Sequence, residues 1–265
     1  MGHSFKMKYL GLLLNSARQA IANKMSWLYI FASLMGQLTA LSSPLSELIP
    51  SIKSISSETW LLSTVLSMIF TAGLVYSVSQ KELHNIEISI LEGWRKGWSK
   101  IIQIGLLTIL LLAILFVVIF VIGVIYKKLI SFGILRTLII ALFIRPILNF
   151  GTCALVINNC SILASVRVSV SMFVRNAFQT LAVSGMLIII QQVLLSILVL
   201  LFMNTYSGNL FGSPFKIFDI PQVAFWDQVL SLILSPWIVI IFTHLFMQFD
   251  KESEMAILSS SQDAA

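Results

Sequence analysis

The sequence predicts an all-α integral membrane protein with six transmembrane helices and three cytoplasmic amphipathic helices, which precede spans 1, 3 and 5. Three observations carry that reading. Of the 265 residues, 58% are hydrophobic and only 11% charged, too little charge to coat a soluble domain of this length. The apolar residues gather into six runs, each near the roughly 20 residues a helix needs to cross a bilayer core of about 30 Å. Lysine and arginine are shared unequally between the segments joining those runs.

The runs lie at about 25–41, 60–79, 101–126, 129–157, 178–203 and 229–249, within one polytopic domain covering 1–265. Helix is expected in each, because unpaired backbone groups in lipid cost several kcal/mol and no ten-residue alternating strands are present. The first run is the shortest. It is read as a span and not as a cleaved signal, since the residues before it pattern as a helix of their own. In "KYLGLLLNSARQAIANK", Leu10, Leu13, Leu14, Ala17 and Ile21 fall on one helical face.

Between spans 2 and 3, "KELHNIEISILEGWRKGWSK" sets Leu83, Ile86, Ile90, Leu91, Trp94 and Trp98 on one side, with most charges opposite. Trp94 and Trp98 are one turn apart, as headgroup anchors are, and Arg95 and Lys96 lie beside them. Gly93 and Gly97 have GxxxG spacing, but on an expected surface helix, where dimerisation through that motif is not expected. In the fourth run Arg145, Pro146 and Asn149 are polar or helix-disturbing. Pro146 leaves the carbonyl of Leu142 without its helical bond, and Asn149 follows Arg145 by one turn. Cys153 and Cys160 are two turns apart, about 10 Å along a helix, too far for a disulfide.

The segment "INNCSILASVRVSVSMFVRN" reads as a strand by alternation and as a helix by the stripe Ile162, Leu163, Val166, Val170, Phe173 and Val174. Helix is preferred, because a strand would have no partner. Ile162, Val166, Val170 and Phe173 are then expected against the bundle, with Arg167 and Arg175 toward headgroups. In the fifth span Gln191 and Gln192 point to different faces, so at least one should meet another helix. His244, in the sixth, has no neighbouring His or Cys in sequence and is read as a structural hydrogen-bonding group, not a haem or pigment ligand.

Orientation follows from the basic residues. Lys6, Lys8, Arg18, Lys24, Lys81, Arg95, Lys96, Lys100, Arg167, Arg175 and Lys251 total eleven on one side, against Lys53, Lys127, Lys128 and Lys216, four, on the other. Both termini are therefore expected in the cytoplasm. Arg136 is expected to snorkel near the outer surface. The net charge of +6 suits an anionic bilayer surface, and nothing in its distribution suggests nucleic acid.

"ALVINNCSILASVRVSVSMFVRNAF" resembles a motif of a broad prokaryotic family of six-span proteins. That family includes the membrane domain fused to some glycerophosphoryl diester phosphodiesterases. Ala164, Arg167, Ser169 or Ser171, Arg175 and Asn176 carry the match, with "NKMSWLYIFASLMG" and Thr243, Phe246 and Asp250 of "THLFMQFDKES" in support. The resemblance implies a six-span fold in a prokaryotic plasma membrane. Family members commonly carry an acid where this chain has Asn158 and Asn159. The catalytic barrel of the diesterases has no counterpart, so no hydrolase activity is implied.

No phosphate-binding, nucleotide-binding, nucleophile-elbow or zinc-protease motif occurs, and the acids are placed in loops, tails or surface helices. No enzyme activity, cofactor or metal is expected. The expected function is a scaffold, assembly factor or accessory subunit, with a membrane-protein partner or a second copy of the chain. The alternative is a transporter or channel component handling an anion or amphiphile, built on an intramembrane polar site of Arg145, Asn149, Gln191, Gln192 and His244.

Overall fold

A computed structural model describes residues 2–40, 52–125, 140–203 and 221–262, and the statements below concern these residues. All regular structure among them is helical: α1 Gly2–Ala22, α2 Lys24–Ala40, α3 Ile52–His84, α4 Ile90–Ile125, α5 Arg145–Val156, α6 Ile162–Arg175, α7 Ala177–Met203 and α8 Pro221–Gln262. Four stretches are long and apolar enough to cross a membrane: Leu62–His84, Ile90–Ile114, Ala177–Leu198 and Val229–Glu252. A shorter apolar stretch is Ile140–Val156. Arg136, Lys127, Lys128, Lys216 and most of both expected outer loops lie outside the described residues.

Local chemistry explains most boundaries. Asn23 divides α1 from α2: its Oδ1 accepts the Met25 N–H at 2.9 Å, an N-cap bond. Its Nδ2 donates to Ser77 Oγ at 3.2 Å and so ties the junction to α3. α3 ends at Asn85, whose φ of 56° lies in the left-handed region that asparagine tolerates. α4 opens with a reciprocal capping box: the Ser89 N–H donates to Glu92 Oε2 at 3.0 Å and the Glu92 N–H to Ser89 Oγ at 3.3 Å. Before α5 the chain forms one π-helical turn, Ile140–Ile144. It runs directly into Pro146, which has no N–H to close an α-helical bond.

The second amphipathic helix is not a separate element. α4 runs unbroken from Ile90 into the third expected span, so the "GWRKG" segment is that span's first turns. It is also packed. A Cβ on Gly97 would overlap the Ile69 carbonyl oxygen, and one on Gly73 would lie 2.8 Å from the Gly93 carbonyl oxygen. The GxxxG spacing thus serves the close crossing of α3 and α4 within the chain.

α1 differs from expectation in a second way. Trp237 Nε1 of α8 donates to the Leu13 carbonyl at 3.0 Å, and His244 Nε2 lies 2.9 Å from Gln19 Oε1. These contacts advance together, about 9 Å along α1 and 10.5 Å along α8. Over these turns α1 therefore runs beside α8 in the same direction and does not lie free on a surface. Leu13 and Ser16 are buried, while Leu14 and Ile21 of the expected apolar face point outward.

The core gathers on α8. Phe150 of α5 is fully buried, with ring centroids 5.6, 6.5 and 6.0 Å from Phe242, Phe246 and Phe249. Cys153 and Cys160 are free thiols. Cys153 is buried with its Sγ 3.7 Å from Thr243 Oγ1.

The ambiguous segment is a helix, α6. Ser161 caps its N-terminus by accepting the Ala164 N–H at 3.4 Å, and Asn176 ends it. The inward face, however, is built on Ser165, Ser169, Met172 and Phe173. Both serines have 0% exposure and bond to carbonyls of their own turn, Ile162 and Val166. Their small size lets α6 close on α5, where the Ser169 hydroxyl lies 3.6 Å from a Cβ placed on Gly151. Ile162 and Val166 are half-buried, whereas Leu163, at 77% exposure, and Val170 and Val174 face outward.

Candidate functional site

Two polar constellations join helices of the bundle, the first part-buried and the second opening to the surface at Glu82. The first joins α5, α7 and α8. Arg145 starts α5, and its guanidinium donates to Ser235 Oγ at 3.4 Å. Ser235 Oγ in turn donates to the Ser231 carbonyl at 2.6 Å, one turn back in α8. Gln191 of α7 donates to Ser231 Oγ at 2.9 Å and to Asp227 Oδ1 at 3.0 Å. The five side chains form a string along α8, where Pro236 is buried within the helix. Asn149 does not join it: its Nδ2 donates to the Arg145 backbone carbonyl at 2.8 Å. Gln192 is exposed on the other face of α7. Thus Arg145 and Gln191 share one string, Asn149 serves its own helix, and Gln192 and His244 stand elsewhere.

The second constellation lies where α1, α3 and α8 meet. Gln19 sits between His244, at 2.9 Å, and Glu82, whose Oε1 accepts the Gln19 amide at 2.8 Å. Leu12, Asn15 and Arg18 complete the lining of a cavity of about 350 Å³ at this point. A second cavity of about 540 Å³ adjoins it and shares Arg18 and Gln19.

The expected headgroup contacts take different positions. Trp94 and Trp98 stack with centroids 6.3 Å apart and planes 18° from parallel. Trp94 is half-buried and packs on Phe70 at 5.3 Å, whereas Trp98 is exposed. Lys96 Nζ lies 5.3 Å from the Tyr76 ring centroid, a cation–π distance, and Arg95 is exposed. Arg167 and Arg175 are exposed on α6. The turn before α6 is held by other residues. Lys100 of α4 donates to Asn159 Oδ1, and Asn158 Nδ2 donates to Asp250 Oδ2 of α8 at 3.5 Å. Asn159 has a φ of 52°, so it combines a left-handed turn with an acceptor for the lysine.

No family model, characterised protein or solved structure matches the chain. The resemblance to the diesterase-linked membrane family therefore rests on its short motifs, and the site is described by its own chemistry.

That chemistry is mainly cross-linking of helices. Ser231, Ser235, Asp227, Gln19 and Glu82 were not among the residues the sequence singled out. Asp227 precedes the expected sixth span and counted as a loop acid, but α8 begins at Pro221 and includes it. The signal was Pro221 itself, a favoured residue in the first turn of a helix. Gln19 carried no signal, because its role depends on α1 lying against α8. Among the described residues, no three His, Cys, Asp or Glu side chains gather as a metal site.

Proposed function

We propose that the chain is a non-catalytic, six-span protein of the prokaryotic plasma membrane that serves as a scaffold, assembly factor or accessory subunit of a membrane complex. To the four long apolar stretches this reading adds α2, with 17 residues, and Ile140–Val156, whose expected outer part lies outside the described residues. The last turns of α1, the first turns of α4 and the α5–α6 turn meet at the end rich in Lys and Arg, the end assigned to the cytoplasm.

One observation carries the reading. Arg145, Gln191 and His244 are each hydrogen-bonded to another helix, while α4 and α7 leave apolar stripes uncovered. On α4 the stripe is Ile102, Leu106, Ile109, Leu112 and Phe116. On α7 it is Ile189, Val193 and Ile197. Polar groups spent on helix contacts serve stability, and uncovered stripes at helical spacing suit lipid or a partner helix. The transporter reading needs Arg145 to meet a solute, and its bond to Ser235 favours the structural role.

The test is purification in nanodiscs with a mild crosslinker and mass spectrometry of what travels with the chain. A stoichiometric membrane protein, lost when Ile109→Asn or Val193→Asn is introduced, is the expected result. A solute that travels with the chain and is lost on Arg145→Gln, with no protein partner, would replace this reading with transport.

A further inference from the structure

The larger cavity, about 540 Å³, opens where the end of α1, the α1–α2 junction, the last turns of α3 and the link into α4 converge. Its volume is in the range of small-ligand sites. Arg18, Lys24 and Lys81 line it, against the single lining carboxylate Glu87. Glu87 lies 3.3 Å from Lys81 and answers that charge. Arg18 and Lys24 have neither an ion-pair nor a hydrogen-bond partner among the described residues. Two further acids are already engaged: Glu82 accepts from Gln19, and Glu92 accepts from Ser89 in the capping box.

Two exposed cations thus have no protein partner among the described residues, over a lining that mixes apolar side chains with Gln19, Asn23, Ser77 and Ser89. Met25 and Val78 line the cavity and are each only 2% exposed. Ile21, Trp27 and Phe31 are exposed on the adjoining α1 and α2 surface. Trp27 donates its indole N–H to the Ile21 carbonyl at 2.9 Å while its ring faces outward, a posture suited to the headgroup level of a bilayer. A cationic cavity with an apolar approach at that level matches a molecule with an anionic head and an apolar body.

We propose that this cavity is a phosphate site, in which Arg18 and Lys24 take the phosphate of an anionic phospholipid whose chains lie along Ile21, Trp27 and Phe31. Lys81 is held in reserve by Glu87. The site is separate from the Arg145 string and does not depend on the scaffold reading.

The experiment uses the full-length chain in detergent micelles. Binding of phosphatidylglycerol is measured by native mass spectrometry, with phosphatidylcholine as the uncharged comparison and inorganic phosphate as the soluble anion. Phosphatidylglycerol should bind in preference to phosphatidylcholine. Arg18→Gln and Lys24→Gln should each weaken it about fivefold, and the double variant by roughly twenty-five-fold if the two act independently. Arg18→Lys should retain most of the binding. Glu87→Gln, which releases Lys81, should tighten it, an effect of opposite sign that a misfolded variant would not produce. Lys251→Gln, exposed on α8 and outside the lining of both cavities, should match the parent. Millimolar inorganic phosphate that binds alone and displaces the lipid would support the phosphate chemistry with a soluble source. Equal retention of both lipids, or a folded double variant that binds like the parent, overturns the proposal.

Discussion

At the scale of single residues, the membrane interior is governed by who satisfies each polar group. Arg145 was legible as costly in lipid, but its partner was not. Asn149, one turn away, reaches only the Arg145 backbone, and the guanidinium goes instead to Ser235, ninety residues along the chain. If the arginine joins helices, Arg145→Gln and Ser235→Ala should each lower unfolding stability in detergent by about 0.5–2 kcal/mol. The double variant should lose less than the sum, because both remove the same bond. Thermal unfolding of the four proteins measures this. Full additivity would mean that the two side chains act separately.

At the scale of elements, close approach decides what pattern cannot. The Gly93–Gly97 spacing looked idle on a surface helix, yet it is where α4 crosses α3 at Ile69 and Gly73. Gly97→Val should cost about 1–3 kcal/mol through overpacking. Gly105→Ala, on the same helix with open space around its Cβ position, should be neutral or slightly stabilising. A similar cost at both positions would argue against the crossing. On α6 the helix was readable from its lack of a strand partner, but its rotation was not. Apolar periodicity favoured Val170 inward, whereas the fold buries Ser165 and Ser169. In a bilayer, outward apolar side chains meet lipid without penalty, so small size, not hydrophobicity, marks the packed face. Cysteine labelling across 161–175, in a background lacking Cys153 and Cys160, should protect 165, 169, 172 and 173 and label 163, 167, 170 and 174. Strict odd–even alternation would refute the helix itself.

At the scale of the whole molecule, topology rests on the eleven-to-four division of basic residues, while α1 adds a constraint of its own. On the proposed topology, reporter fusions at residue 5 and at the C-terminus should both report cytoplasm, whereas the course of α1 beside α8 points residue 5 toward the opposite face. An external signal at residue 5 alone would mean that α1 crosses the bilayer beside α8, in the direction set by the Leu13–Trp237 and Gln19–His244 contacts. Trp237→Phe removes the indole donor and should weaken the docking of α1 by about 0.5–1.5 kcal/mol. Faster hydrogen exchange in α1 than in α3 would register that change.

The sequence by itself determined that the chain is helical and apolar at membrane-crossing length, because those properties depend on composition and local period alone. It also placed the helix that starts at Ser161, but it read one helix through Asn85 and Ser89, where the structure breaks and restarts. Only the tertiary structure decided that α4 absorbs the second amphipathic segment, that α1 lies along α8, and that Asp227, Gln191, Ser231, Ser235 and Arg145 form one string. Those facts depend on which helices become neighbours. In lipid, that choice is made by shape and by paired polar groups far apart in the chain, and neither leaves a local pattern to read.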